Sequence, residues 1–182
     1  MMKAPRSEEG FGLVELLIAM TVLNVGLLAI VAAFSSSAIA INRAGRVGSA
    51  AALADTQTEL YRTVTYDAIG LDLTATTDAT YKGDTVACAN GTDCSNIAAT
   101  SPTCPNANFP NACTPTRVAR GADDHNYRVD TYIKKVTVSG QRDTKQVTIV
   151  VRDNDDLTLR PLARVISVFD CSSGQVPNTP PC

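Results

Sequence analysis

From Phe11 to Phe34 the chain reads FGLVELLIAMTVLNVGLLAIVAAF, and nineteen of these 24 residues are apolar. Glu15, Thr21 and Asn24 interrupt the run, with Gly12 and Gly26. A helix rises about 1.5 Å per residue, so 24 residues reach roughly 36 Å, enough to cross a hydrocarbon core of about 30 Å. The segment is longer than the apolar core of a secretory signal, which is about 7–15 residues, and no A-x-A-like site closes it. The pattern therefore predicts a retained membrane helix over 11–34, preceded by a polar stretch over 1–10.

Past the apolar run the pattern becomes two-sided. In SAAALADTQTELYRTVTYDAIG, the residues Leu53, Gln57, Leu60, Val64 and Ala68 fall at helical spacing, while Asp55, Glu59 and Arg62 lie opposite. This predicts an amphipathic continuation of the helix over 35–69, capped by Gly70. Gly45 and Gly48 mark a local weak point within it. Residues 71–116 hold ten Thr, four Cys and Pro102, Pro105, Pro110 and Pro115, which exclude a long helix. Asn90-Gly91 is a tight-turn signal there. Period-two patterning then appears in YRVDTYIKKVTV, VTIVVRD and LARVISVFD, with Ser139-Gly140 and Asp153-Asn154-Asp155-Asp156 as turns. The expected head, 70–182, is thus loop-rich over 70–126, an antiparallel meander of three or four strands over 127–170, and a Pro-rich tail over 171–182. A small sheet needs a partner for its apolar face, and the stripe around Leu53–Val64 is the expected one. The fold class is α+β.

Charge and composition narrow the function. Sixteen basic against 18 acidic residues give a net charge of −2, with no field suited to nucleic acid. His125 is the one histidine. It follows Asp123 and Asp124 in a loop, where a solvated surface group is expected rather than an acid–base catalyst. The acidic run 153–156 lacks the spacing of an EF-hand and reads as a solvated turn. No enzyme activity, metal or cofactor is expected.

The six cysteines, Cys88, Cys94, Cys104, Cys113, Cys171 and Cys182, all lie beyond the apolar run. Their even number, the absence of any C-x2-C pair and the single histidine favour disulfides in an oxidising compartment over zinc. Lys3 and Arg6 flank one end of the apolar run, Arg43 and Arg46 the other. Basic residues alone therefore do not orient it, whereas the cysteines put the bulk of the chain outside and the N-terminus inside. Six cysteines allow 15 pairings. The sequence-local set Cys88–Cys94, Cys104–Cys113 and Cys171–Cys182 is the one expected.

Glu15 is anomalous, because an ionisable group in a membrane segment is costly and signals function by default. It is the fifth residue counted from Phe11, just after Glu8-Glu9-Gly10. EEG-FGLVELLIAM resembles the signal of type IV prepilins and type II secretion pseudopilins: a short charged leader ending in Gly, then Phe, then Glu at the fifth mature position and an unbroken apolar helix. The resemblance covers roughly residues 8–41. It implies cleavage between Gly10 and Phe11 by prepilin peptidase on the cytoplasmic face, with N-methylation of Phe11. It also implies a pilin-like fold, a stay in inner-membrane lipid, and assembly with other subunits on an inner-membrane platform into a pilus or pseudopilus. The head would face the periplasm or the exterior. Two departures are Gly12, where Thr or Ser is common, and the lack of proline between Pro5 and Pro102. VLNVGLLAI is similar to minor pilins of the PilV type and to minor pseudopilin I, which implies a minor subunit. In this reading the new α-amine of Phe11 enters an apolar bundle and pairs with Glu15 of a neighbour, because an unpaired buried charge is prohibitive. The alternative is an uncleaved signal-anchored surface protein, which leaves Glu15 and the Gly10-Phe11 junction unexplained.

Overall fold

The computed structural model describes residues 12–72, 79–88, 99–100, 110–136, 143–157 and 160–170. Gly10, Phe11, Cys94, Cys104, Cys171, Cys182 and the Asn90-Gly91 turn lie outside the described residues. The architecture is α+β, with one long N-terminal helix whose C-terminal part packs on a four-stranded antiparallel sheet. The chain divides into two units, Met1–Ala44 and Gly45–Cys182.

Helix α1 runs from Leu13 to Thr63. Its Leu, Ala, Ile and Val content and the absence of proline allow an unbroken ladder. Gly45 and Gly48 lie inside it. The helix ends at Thr63 rather than at 69, and Tyr66–Ala68 form a separate 3-10 turn. Its carbonyl ends are not left bare, since Lys145 Nζ donates to Tyr66 O and Ile69 O, both at 2.7 Å, and lies over the Tyr66 ring. A lysine from the sheet thus holds the carbonyls of the turn that follows α1, and Gly70 lies beyond the helix end rather than at its cap.

Short strands β1 (Leu71–Asp72) and β2 (Ala99–Thr100) pair in parallel, and α2 spans Ala79–Lys82. The main sheet has the order β3-β4-β5-β6, with β3 Thr116–Arg120, β4 Asn126–Val136, β5 Thr144–Asp153 and β6 Ala163–Asp170. The meander is therefore four-stranded. Its first strand, β3, falls in the stretch that the proline spacing marks as loop. TRVAR is short, but Val129, Arg128 and Tyr127 pair with Arg117, Val118 and Ala119, so tertiary pairing overrides a weak local signal. The turn joining β3 to β4 places Asp124 at φ 65, a conformation that aspartate tolerates better than most residues.

Register sorts the side chains onto two faces. Tyr127, Val129, Thr131 and Ile133 on β4 share a face with Val147, Ile149 and Val151 on β5. Ala50, Ala54 and Tyr61 of α1 join the same core. The buried line of the helix is Ser49, Ala50, Ala54, Gln57, Thr58 and Tyr61. This corrects the expected stripe: Leu53 and Leu60 are only partly buried at its margin. Small Ala50 and Ala54 hold the centre, and Tyr61 fills space beside them with its hydroxyl donating to Ala112 O at 2.8 Å. Burial pushes the Tyr61 phenol up to about 12, so it stays a neutral donor.

The opposite face is covered over β4 and β5, while Val118, Ile166 and Val168 on the flanking strands stay exposed. The rings of Tyr81 and Tyr132 stack with centroids 4.2 Å apart, and Tyr132 donates to Tyr81 O at 2.8 Å. Beside them Asp84 receives Arg152 and Arg164, while Asp130 receives Arg128 at 2.9 Å and Arg152 at 2.7 Å. Burial opposes the Asp84 charge, but the Ala87 N–H, Arg164 and Arg152 hold its carboxyl below the usual carboxylate value. The segment 79–88 is thereby pinned by charge to a face that sequence patterning leaves unpartnered. Asp84→Ala removes the anion of Arg164 and leaves Arg152 with Asp130 alone, and should cost about 3–5 kcal/mol. Denaturant unfolding of the detergent-extracted full chain measures it.

Candidate functional site: the apolar helix and its polar residues

Among the residues that sequence reasoning singles out for processing and assembly, Glu15 is described. It lies in the first turn of α1. Its N–H donates to Gly12 O at 3.0 Å, and the Leu16 N–H donates to the same oxygen at 3.2 Å. Its carboxylate is exposed and makes no ion pair among the described residues. A negative charge suits the N-terminal turn of a helix, where N–H groups lack intrahelical partners.

Around Glu15 the surface is apolar on every side. Leu13, Val14, Leu17, Ile18, Leu28 and Phe34 are all exposed, and α1 is long and apolar enough to cross a membrane. A helix that is hydrophobic all round belongs inside lipid or inside a bundle. The polar residues within it are prepared for such a place. Thr21 Oγ1 donates to Ile18 O at 2.8 Å, Ser35 Oγ to Val31 O at 3.0 Å, and Ser37 Oγ to Ala33 O at 2.8 Å. Hydroxyls that return to their own helix backbone carry little cost in an apolar medium. Glu15 has no such internal partner, so in that medium its charge needs a partner from elsewhere.

A second polar group, which sequence patterning does not reveal, anchors the sheet-packed half of α1. Arg46 Nη1 donates to Asp153 Oδ2 at 2.9 Å. His125 Nε2 lies 2.8 Å from Asp153 Oδ1 and 3.9 Å from Asp155 Oδ2, and its ring meets Tyr127 edge-on at 5.2 Å. His125 is therefore half-buried in a network rather than a solvated surface group, and Asp153 is buried while Asp155 stays exposed. The sequence separation of 107 residues between Arg46 and Asp153 hides this tie from any local pattern. The ligand atoms of His125, Asp153 and Asp155 fall within 4.8 Å of one another. Arg46 occupies the other oxygen of Asp153, and its positive charge opposes a metal cation there.

Burial raises the cost of the Asp153 charge, but His125, the Asp155 N–H and Arg46 together hold its carboxyl below 3.8. Cys88 and Cys113 are buried, and Cys94, Cys104, Cys171 and Cys182 lie outside the described residues.

A family model described as the prokaryotic N-terminal methylation motif matches residues 5–31. No curated protein and no solved structure matches the chain.

Depressed carboxyls stabilise the fold above their unfolded pKa, because in acid the unfolded chain binds the protons first. Stability from Asp84 and Asp153 should be fully present at neutral pH and should decline as the pH falls below 3.8. Melting temperature against pH reads this, and Asp153→Asn should make the acid limb shallower.

Proposed function

We propose that this chain is an exported structural subunit of a type IV pilus or a type II secretion pseudopilus. The starting point is the methylation motif at residues 5–31, which supports membership of the type IV pilin and pseudopilin family. The pilin-like layout of one long helix on a four-stranded antiparallel sheet agrees with it. The motif implies processing by prepilin peptidase and assembly with other pilin subunits.

The observation that carries the reading is Glu15, a carboxylate without an ion pair among the described residues, in the opening turn of a helix whose N-terminal part is exposed and apolar all round. Cleavage after Gly10 would place the α-amine of Phe11 at the start of that helix. In a bundle of such helices the amine leaves water and needs an anion. Glu15 of the next subunit supplies it, and a single polar pair in an apolar seam also sets register. Before assembly the helix is held in the inner membrane with its N-terminus inside. The head, tied by the six cysteines in sequence-local pairs, faces outward. The minor-subunit reading rests on the run VLNVGLLAI.

The mature chain should begin at N-methylated Phe11. Intact-mass and N-terminal peptide analysis of membrane-extracted protein decides this, and a mature chain still starting at Met1 sinks the subunit reading. Glu15→Ala should be processed and should remain in the membrane fraction, because it makes the helix more apolar. Its share in sheared filaments should fall at least tenfold against wild type, a difference of about 1.4 kcal/mol. Wild-type recovery of Glu15→Ala in filaments would remove the role assigned to Glu15.

A further inference from the structure

Three arginines drawn into the head each meet a carboxylate: Arg128 and Arg152 meet Asp130, and Arg164 meets Asp84. Arg117 is different. It is half-buried on β3, and its Nε donates to Gln57 Oε1 at 3.1 Å. That acceptor is neutral. Gln57 is itself fixed by its amide nitrogen, which donates to Asn111 O at 3.1 Å. Burial pushes the Arg117 pKa down, and the opposing influence is Tyr61, a phenol that burial keeps neutral. Arg117 thus has no anionic partner among the described residues.

Position gives this charge a direction. β3 is an edge strand of the sheet, and Arg117 lies where that edge meets α1 through Gln57. Leu53 and Leu60 stand four residues before and three after Gln57, on the same side of the helix, and both are only partly buried. A half-buried arginine on the sheet edge, joined through Gln57 to a helix side that carries partly buried leucines, has the composition of an interface centre. The terminal guanidinium nitrogens match the two oxygens of one carboxylate.

We propose that Arg117, oriented by Gln57, is the docking point for an Asp or Glu side chain on the neighbouring subunit of the assembly. The proposal rests on the subunit reading and adds to it a contact made by the head, independent of Glu15. A polyphosphate is a poor occupant for a single arginine on a chain of net charge −2. A carboxylate presented by a protein surface supplies both the bidentate acceptor and apolar cover for Leu53 and Leu60.

The test uses the full chain in filament-producing cells, with Arg117→Gln and Arg117→Glu. Arg117 gives the head one hydrogen bond to a neutral acceptor against the cost of half-desolvating a cation, and glutamine at 117 removes that cost while keeping an amide donor for Gln57 Oε1. Arg117→Gln should therefore keep or raise the melting temperature of the detergent-extracted protein, while its share in sheared filaments falls about tenfold, the loss of one charge-assisted pair. Arg117→Glu should fall further, through like-charge repulsion. Wild-type recovery of Arg117→Gln in filaments would overturn the proposal. So would a loss of recovery matched by a lower melting temperature, because the arginine would then be serving its own head. The wild-type control is read first: a wild-type chain that never enters filaments defeats the subunit reading, and this proposal with it.

Discussion

A helix surface that is apolar in every direction has no low-energy place in water, and the stretch of α1 rich in exposed Leu, Ile and Val imposes that constraint on this chain. Its hydroxyls are turned back to its own carbonyls, which removes polar demand from the apolar surface. Within the run from Gly12 to Phe34 this leaves one neutral amide, Asn24, and one carboxylate, Glu15. In bulk water Glu15 is unremarkable. In hydrocarbon, or among like helices, it is the single group whose charge must be answered by another molecule. The methylation motif matched at residues 5–31 covers this carboxylate, and under the proposed subunit reading a neighbour completes it.

The sheet-packed half of α1 solves a different problem. Its buried line is made of small and polar residues, Ala50, Ala54, Gln57 and Thr58, around Tyr61. Such a face buries less apolar area than a leucine stripe would. Specific polar anchors supplement it: Arg46 to Asp153, Tyr61 to Ala112, Gln57 to Arg117, and Lys145 to the carbonyls beyond the helix end. On the other face of the sheet, Asp84 and Asp130 gather Arg128, Arg152 and Arg164. Pairs of this kind add less net stability than their number suggests, because desolvation offsets much of the attraction. Their contribution is to fix which residue faces which.

How much of this was legible follows from the range of each interaction. The apolar run, Glu15 and the Gly10-Phe11 junction are local in sequence, so composition and order suffice to read them. The strands carrying YRVDTYIKKV, TKQVTIVVRD and ARVISVFD announce themselves through β-branched alternation. TRVAR does not, since five residues hold too little pattern to outweigh the prolines before them. The helical stripe was legible as a spacing, but its angular centre was not: leucine outranks alanine in any hydrophobicity count, whereas close packing selects alanine. The long-range ties were invisible for a plainer reason. Arg46 and Asp153, or Asp84 and Arg164, are ordinary surface-type residues until the fold brings them together.

The charges that remain unanswered are as informative as those that are paired. Within the head the arginines Arg128, Arg152 and Arg164 are neutralised inside the chain, at a desolvation cost the fold tolerates because each finds an anion. Arg117 incurs a similar cost with only an amide in return. Natural sequences agree with their own fold at most positions, and disagreements gather where a further partner completes the structure. On that logic a neutral residue at 117 would serve a solitary head at least as well, and a glutamate at 57 could have supplied the missing anion from within. The chain has neither. Under the subunit reading Glu15 and Arg117, two groups without an opposite charge among the described residues, fall at separate places, an anion in the apolar helix and a cation on the sheet edge. A neighbour would then have to satisfy both at once, which specifies a relative placement that either contact alone leaves free.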